Sequence, residues 1–279
     1  MQNLESILDE IKNAKTLGAT LVEGQACAKA GKIFLERNIY PEAAHYFQNA
    51  VLLFIAEKEI NLQARALNHL AVCLVMSKQA NQALEHLSRA KELLNTSNDP
   101  ALLAAIEGNI GLAHSSLNDY TNAITAHKSV LESAEDLHDN SLMLNALINL
   151  ADCNLQNKYF QPAQGFALVA LDLAKKLDSP DALIIIYDLL GMIYSRQGDL
   201  KTALTYHQQA YQAAHSEGDL LRQGIALANQ ALSLERLTEL TQAFALMEEA
   251  DCIFSMLNSD YQEKTRRDMD RIQSGLSKI

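Results

Sequence analysis

Two pairs of residues whose types could do chemistry are spaced by a multiple of 40. His127 and His207 lie 80 positions apart, and so do Cys73 and Cys153. Metal ligation and nucleophilic catalysis need such groups within a few ångströms of one another. Equivalent positions of a stacked repeat are held apart instead, beyond the reach of a shared ion or a disulfide. His127 and His207 are therefore expected to pack, and Cys73 and Cys153 to be core thiols. No CxxC pair, HExxH, phosphate loop or nucleophile elbow occurs. No metal, no cofactor and no enzymatic activity are expected. Asparagine recurs at one repeat position, as Asn109, Asn149 and Asn229. An amide can both donate to and accept from a peptide unit, which is a chemistry of binding.

The elements that hold these residues follow from the repeat itself. Ala43, Ala83, Ala123, Ala163, Ala203 and Ala243 are spaced by 40. Seven residues later stand Ala50, Ala90, Val130, Ala170, Ala210 and Ala250, and twelve before each come Gly31, Ala71, Gly111, Ala151, Gly191 and Ala231. Bulky residues alternate with them at helical spacing, so each unit reads as two antiparallel helices. First helices are expected near 21–38, 61–78, 101–117, 141–157, 181–197 and 221–237. Second helices are expected near 41–57, 81–96, 121–137, 161–177, 201–217 and 241–257. All four prolines fall at helix starts, Pro100 and Pro180 after the capping residues Asp99 and Ser179. The domain reading is an extra N-terminal helix in 1–18, six units over 19–258, and a C-terminal capping helix in 259–279.

Composition narrows the function. The 279 residues are 48% hydrophobic and carry a formal charge of −11, which weighs against a nucleic-acid groove. Eleven glycines and four prolines are too few for a turn-rich β protein. No apolar run approaches the roughly 20 residues that span a bilayer. The first ten residues are acidic rather than basic-then-apolar, so a secretory leader is not expected. Four scattered cysteines suit a reducing compartment, and a cytoplasmic location is expected.

The pattern resembles the tetratricopeptide repeat. Its clearest copy runs from Asn109 through Gly111 and His114 to Asp119-Tyr120 and Ala123; another runs from Leu190-Gly191 through Tyr194 and Gly198-Asp199 to Ala203. The 40-residue unit is similar to the Pins/LGN, kinesin-light-chain and bacterial Rap-type subgroup. The resemblance implies an all-α, right-handed superhelical solenoid of about six TPR helix pairs with extra helices at both ends. It also implies that first helices line a concave wall, where the asparagine position grips partner backbones. Lys29, His69, Asn109, Asn149 and Asn229 occupy that position, and Arg65, Asn145, Asp152, Asp188, Arg196 and Arg236 lie nearby on the same face. These eleven form the candidate peptide-binding groove. The leading expectation is a non-catalytic scaffold or adaptor that binds a peptide or helix of another protein. The alternative is a Rap-like, peptide-responsive sensor, ranked second because a single helix is expected ahead of the repeats. Partners are expected to be protein or peptide, with no nucleic acid and no membrane insertion.

Overall fold

The computed structural model describes residues 4–95 and 99–277. Asn3 and residue 96, at the edges of two expected helices, lie outside the described residues. The described residues form fourteen α-helices and no strand. They are α1 (Leu4–Thr16), α2 (Thr20–Glu36), α3 (Tyr40–Ala56), α4 (Ile60–Met76), α5 (Ala80–Leu94), α6 (Pro100–Ser116) and α7 (Tyr120–Asp136). There follow α8 (Asn140–Gln156), α9 (Phe160–Lys176), α10 (Pro180–Gln197), α11 (Leu200–Ser216), α12 (Leu220–Arg236), α13 (Leu240–Met256) and α14 (Tyr261–Leu276). The even-numbered helices α2–α12 are the first helices of the pairs, and α3–α13 the second.

The helices stop where the backbone turns left-handed. Residues 18, 38, 58, 78, 118, 138, 158, 178, 198, 218, 238 and 258 all have positive φ, a recurrence at half the repeat. At Asn38 the amide bonds back to Leu35, and the next amide, of Ile39, bonds to Phe34 at 2.9 Å. This pair of bonds closes a helix C-terminus and satisfies carbonyls that would otherwise be orphaned. It recurs down the chain, for instance Tyr159 to Asn154 at 2.8 Å and Glu239 to Leu234 at 3.0 Å. The new helix opens two residues after the left-handed one.

Helix starts are fixed by side chains as well. Asp99 accepts from the amide of Leu102 at 3.0 Å, Asp139 from Leu142 at 2.9 Å and Asp219 from Arg222 at 2.9 Å. Ser179 makes no such cap bond, and Asp181 instead places a negative charge in the first turn of α10. Pro41, Pro100 and Pro180 sit in first turns, where a missing N–H costs little.

Packing explains the small-residue columns. Ala43, Ala83, Ala123, Ala163, Ala203 and Ala243 are all wholly buried. Opposite the Gly/Ala column of the first helix stand Phe47, Leu87, His127, Ala167, His207 and Met247, also buried. The two positions compensate in size. A Cβ on Gly31 would lie 3.0 Å from the Phe47 ring, on Gly111 2.5 Å from His127, and on Gly191 2.4 Å from His207. Where no ring stands opposite, the first helix carries alanine, at Ala71, Ala151 and Ala231. A second column repeats the rule, with Gly24 against Phe54 and Gly224 against Phe254 at 2.9 and 2.8 Å for the added Cβ.

By compactness the chain divides into Met1–Ala146 and Leu147–Ile279, the division falling within α8. In the first unit α1 packs on α2, consecutive helices pack pairwise, and first helices touch across pairs, α2 on α4 and α4 on α6. Its core gathers Phe54, Leu67, Leu87, Leu94 and Ile106. In the second unit the same arrangement brings α10 against α11 and α12, and α13 against α14. Ile272 of α14 is buried against Leu234, Met247 and Met269. Both units are thus built of stacked helix pairs, an all-α solenoid architecture.

Candidate functional site: the face of the first helices

Stacking puts equivalent residues of successive first helices about one repeat apart in sequence and side by side in space. Bonds between them therefore join residues 41 apart. Asn109 donates to Asn68 at 2.8 Å and Asn229 to Asp188 at 2.8 Å. Arg236 donates to the carbonyl of Ser195 at 2.6 Å and to its hydroxyl at 2.8 Å. Two of the three asparagines of the recurring position thus spend amide hydrogens on the neighbouring helix.

In the first unit the candidate residues are engaged separately. Lys29 pairs with Glu10 at 3.1 Å, tying α2 to α1. Arg65 pairs at 2.6 Å with Asp99, the capping residue of α6. His69 stacks on Phe47, with ring centroids 5.1 Å apart. Burial, followed by the nearby Lys32 and Arg65 charges, pushes its pKa down to about 4. Asn145, on α8, is exposed.

In the second unit three of the candidates meet. Asn149, Asp152 and Asp188 line one cleft of about 360 Å³. Its remaining walls are largely aliphatic: Ile148, Ile184, Ile185, Leu189, Met192, Ala210 and Ile225, with Arg222 at one side. Asp188 is held firmly. It accepts from Asn229 and, at 2.9 Å, from the buried His207, and both bonds fall on Oδ1. Because a carboxylate only accepts, Nδ1 of His207 carries the hydrogen. Asp152 accepts on its own Oδ1 from Gln156 at 3.0 Å. Arg222 is taken up by Asp219 at 3.1 Å and Asp181 at 3.4 Å. Arg196 is not part of this cleft. It lines a separate shallow recess with Lys158, Tyr159 and Pro162.

The aliphatic floor was missed in the sequence because two of its isoleucines occupy a position that is polar in some other pairs. Ile185 and Ile225 stand where the second and fourth pairs carry Arg65 and Asn145. An isoleucine replacing a polar residue at a wall position was the available signal.

The other reactive types are spread out. Among the described residues no group of three or more His, Cys, Asp or Glu could hold a metal ion. Cys27, Cys73 and Cys153 are buried, and burial pushes the Cys27 and Cys73 thiols up to about 11. His127, equivalent to His207, is buried with no hydrogen-bond partner on either ring nitrogen. Where Asp188 serves His207, the third pair has Gly108. No described helix is long and apolar enough to cross a membrane.

The helix pairs, their compensating small columns and the 41-residue bonds define a helical-repeat protein. Residues 186–221 match the family model described as tetratricopeptide repeat. No curated protein matches the sequence. Among solved structures, the apo form of RapI is similar at 17% identity and a TM-score of 0.72, covering 97% of this chain and 94% of that one. A Rap protein complexed with competence and sporulation factor is similar at 17% identity and 0.66, covering 92% and 77%. A kinesin light chain with TPR-like repeats from Podosopora anserina matches at 15% and 0.59, covering 70% and 95%. At these identities the likeness is one of fold.

Proposed function

We propose that this chain is a non-catalytic interaction module that binds a segment of a partner protein along the face of its first helices. The observation that carries this reading is the cleft in the second unit. There the position that holds Arg65 and Asn145 in the second and fourth pairs holds Ile185 and Ile225, and Ile185 is left 37% exposed beside fixed polar groups. An apolar depression with a few oriented polar side chains is the usual anatomy of a binding site. The eleven wall residues then divide by role. Asn149, Asp152 and Asp188 contact the partner. Lys29, Arg65, His69, Asn109, Asn229 and Arg236 hold neighbouring helices in place, and Asn145 and Arg196 lie outside the contact. The test compares a captured partner on wild type and Ile185→Lys by calorimetry. The reading expects at least a tenfold loss with an unchanged melt; equal affinity would move the binding face elsewhere.

A second reading, a regulatory sensor, is favoured by the likeness to the Rap protein solved with competence and sporulation factor. It expects a change in radius of gyration by small-angle scattering when a peptide binds. Superimposable scattering with and without ligand would leave the module a static adaptor.

A further inference from the structure

The lining of the cleft says what kind of side chain it accepts. Two carboxylates, Asp152 and Asp188, face the same space as Ile184, Ile185 and Met192. The one cation in the lining, Arg222, is already paired with Asp219 and Asp181, so it does not cancel them. Asp188 is oriented by His207 and Asn229 through Oδ1 alone, and its side chain is 19% exposed. Among the described residues, no bond falls on its Oδ2, nor on Oδ2 of Asp152. Each carboxylate therefore keeps acceptor capacity that is positioned but unused. A cationic head on an aliphatic stem matches both halves of such a lining.

We propose that this cleft is a specificity pocket for a lysine or arginine side chain of the bound segment, its charge on Asp152 and Asp188 and its methylenes on Ile185 and Met192. This rests on the peptide-binding reading above and adds the class of residue recognised. Charge complementarity points the same way, since the whole chain is formally −11. The occupant is a basic residue flanked by aliphatic ones, which would cover the exposed face of Ile185.

The experiment selects a random nonapeptide display library on the full chain. The most enriched peptide is then made with its basic residue intact and with citrulline or norleucine in its place. Both are titrated against wild type, Asp152→Asn and Asp188→Asn. Asparagine keeps an oxygen that can accept from His207 and Asn229, and Asp152→Asn touches only a surface bond to Gln156, so one folded variant is secured. The proposal expects one Lys or Arg in the enriched sequences and a loss of about tenfold or more on neutralising it in wild type. In the variants that loss shrinks to about twofold. Enriched peptides without a basic residue, or the same loss in wild type and variants, would overturn the pocket and leave peptide binding standing. If no peptide is enriched, the peptide-binding reading falls and the pocket with it; if Ile185→Lys leaves binding intact, the binding face lies elsewhere and the pocket falls. Self-association that Asp152→Asn abolishes would make the occupant a second copy of the chain, and would also overturn the proposal.

Discussion

Gly191 lies so close beneath His207 that a single added methyl carbon would sit 2.4 Å from the ring. The glycine lets the buried imidazole enter between α10 and α11, and the imidazole in turn orients Asp188. A packing rule of the repeat and the candidate site are joined through this one contact.

The rule predicts a pattern of stability. Gly111→Ala should cost about 1–3 kcal/mol, because the Cβ meets the His127 ring. Pairing it with His127→Leu recreates the Ala71 and Leu87 combination of the second pair, and should recover most of the loss. Gly165→Ala, with open space around it, should stabilise by about 1 kcal/mol. Thermal melts of the singles and the double measure the coupling; additive effects would contradict size compensation.

His127 should make the protein acid-sensitive. Burial pushes its pKa from 6.5 down to about 4. Above pH 6.5 the ring is neutral folded and unfolded, and stability is complete. Between 6.5 and about 4 the unfolded chain binds a proton that the folded one refuses, so stability falls with pH, by up to about 3 kcal/mol. His127→Phe places against Gly111 the ring that Phe47 already places against Gly31. It should raise the melting temperature at pH 7 and flatten the pH profile relative to wild type. His69 shifts in the same direction, so the difference between the two profiles is the readout. Parallel profiles would contradict the assignment.

The turns offer a backbone test. Thr238 is β-branched yet has φ 64°, where Gly198 and Gly218 serve in the equivalent turns. Thr238→Gly should stabilise by about 1 kcal/mol, and Gly218→Ala should destabilise by a similar amount although nothing crowds it. Urea melts decide it; opposite signs would mean that the turn conformation is not what the residue choice serves.

Much of this fold was legible in the sequence because small residues and prolines announce themselves. The Ala43 column, the Gly31 column and the cap at Asp99 act where they were read, whereas Ser179 makes no cap bond. The left-handed residues were not read, because Asn38, Lys58, His138 and Thr238 share no type; only their spacing of 20 links them. Compensation between Gly191 and His207 was hidden as well, since it appears only when two columns are compared. The site was harder. Asn109 and Asn149 look alike in sequence, yet Asn109 bonds Asn68 within the wall while Asn149 lines the cleft. What separates them is the residue 41 positions earlier, which is the acceptor Asn68 for Asn109 and Gly108, with no side chain, for Asn149.

That difference can be measured. Asn109→Ala leaves the buried Asn68 without its donor and should cost about 0.5–1.5 kcal/mol of stability while sparing binding. Asn149→Ala should spare the melt and weaken binding of a selected peptide several-fold. The reverse assignment of effects would place the contact on the first unit.

The most direct measurement of the central claim is a methyl NMR titration of isoleucine-labelled protein with a library-selected peptide. Ile148, Ile184, Ile185 and Ile225 surround the cleft, and Ile55 is an exposed reporter on α3 of the first unit. The account predicts that the four cleft methyls shift together and saturate with one dissociation constant, while Ile55 stays fixed. Saturable shifts at Ile55 with the four cleft methyls unmoved would contradict it.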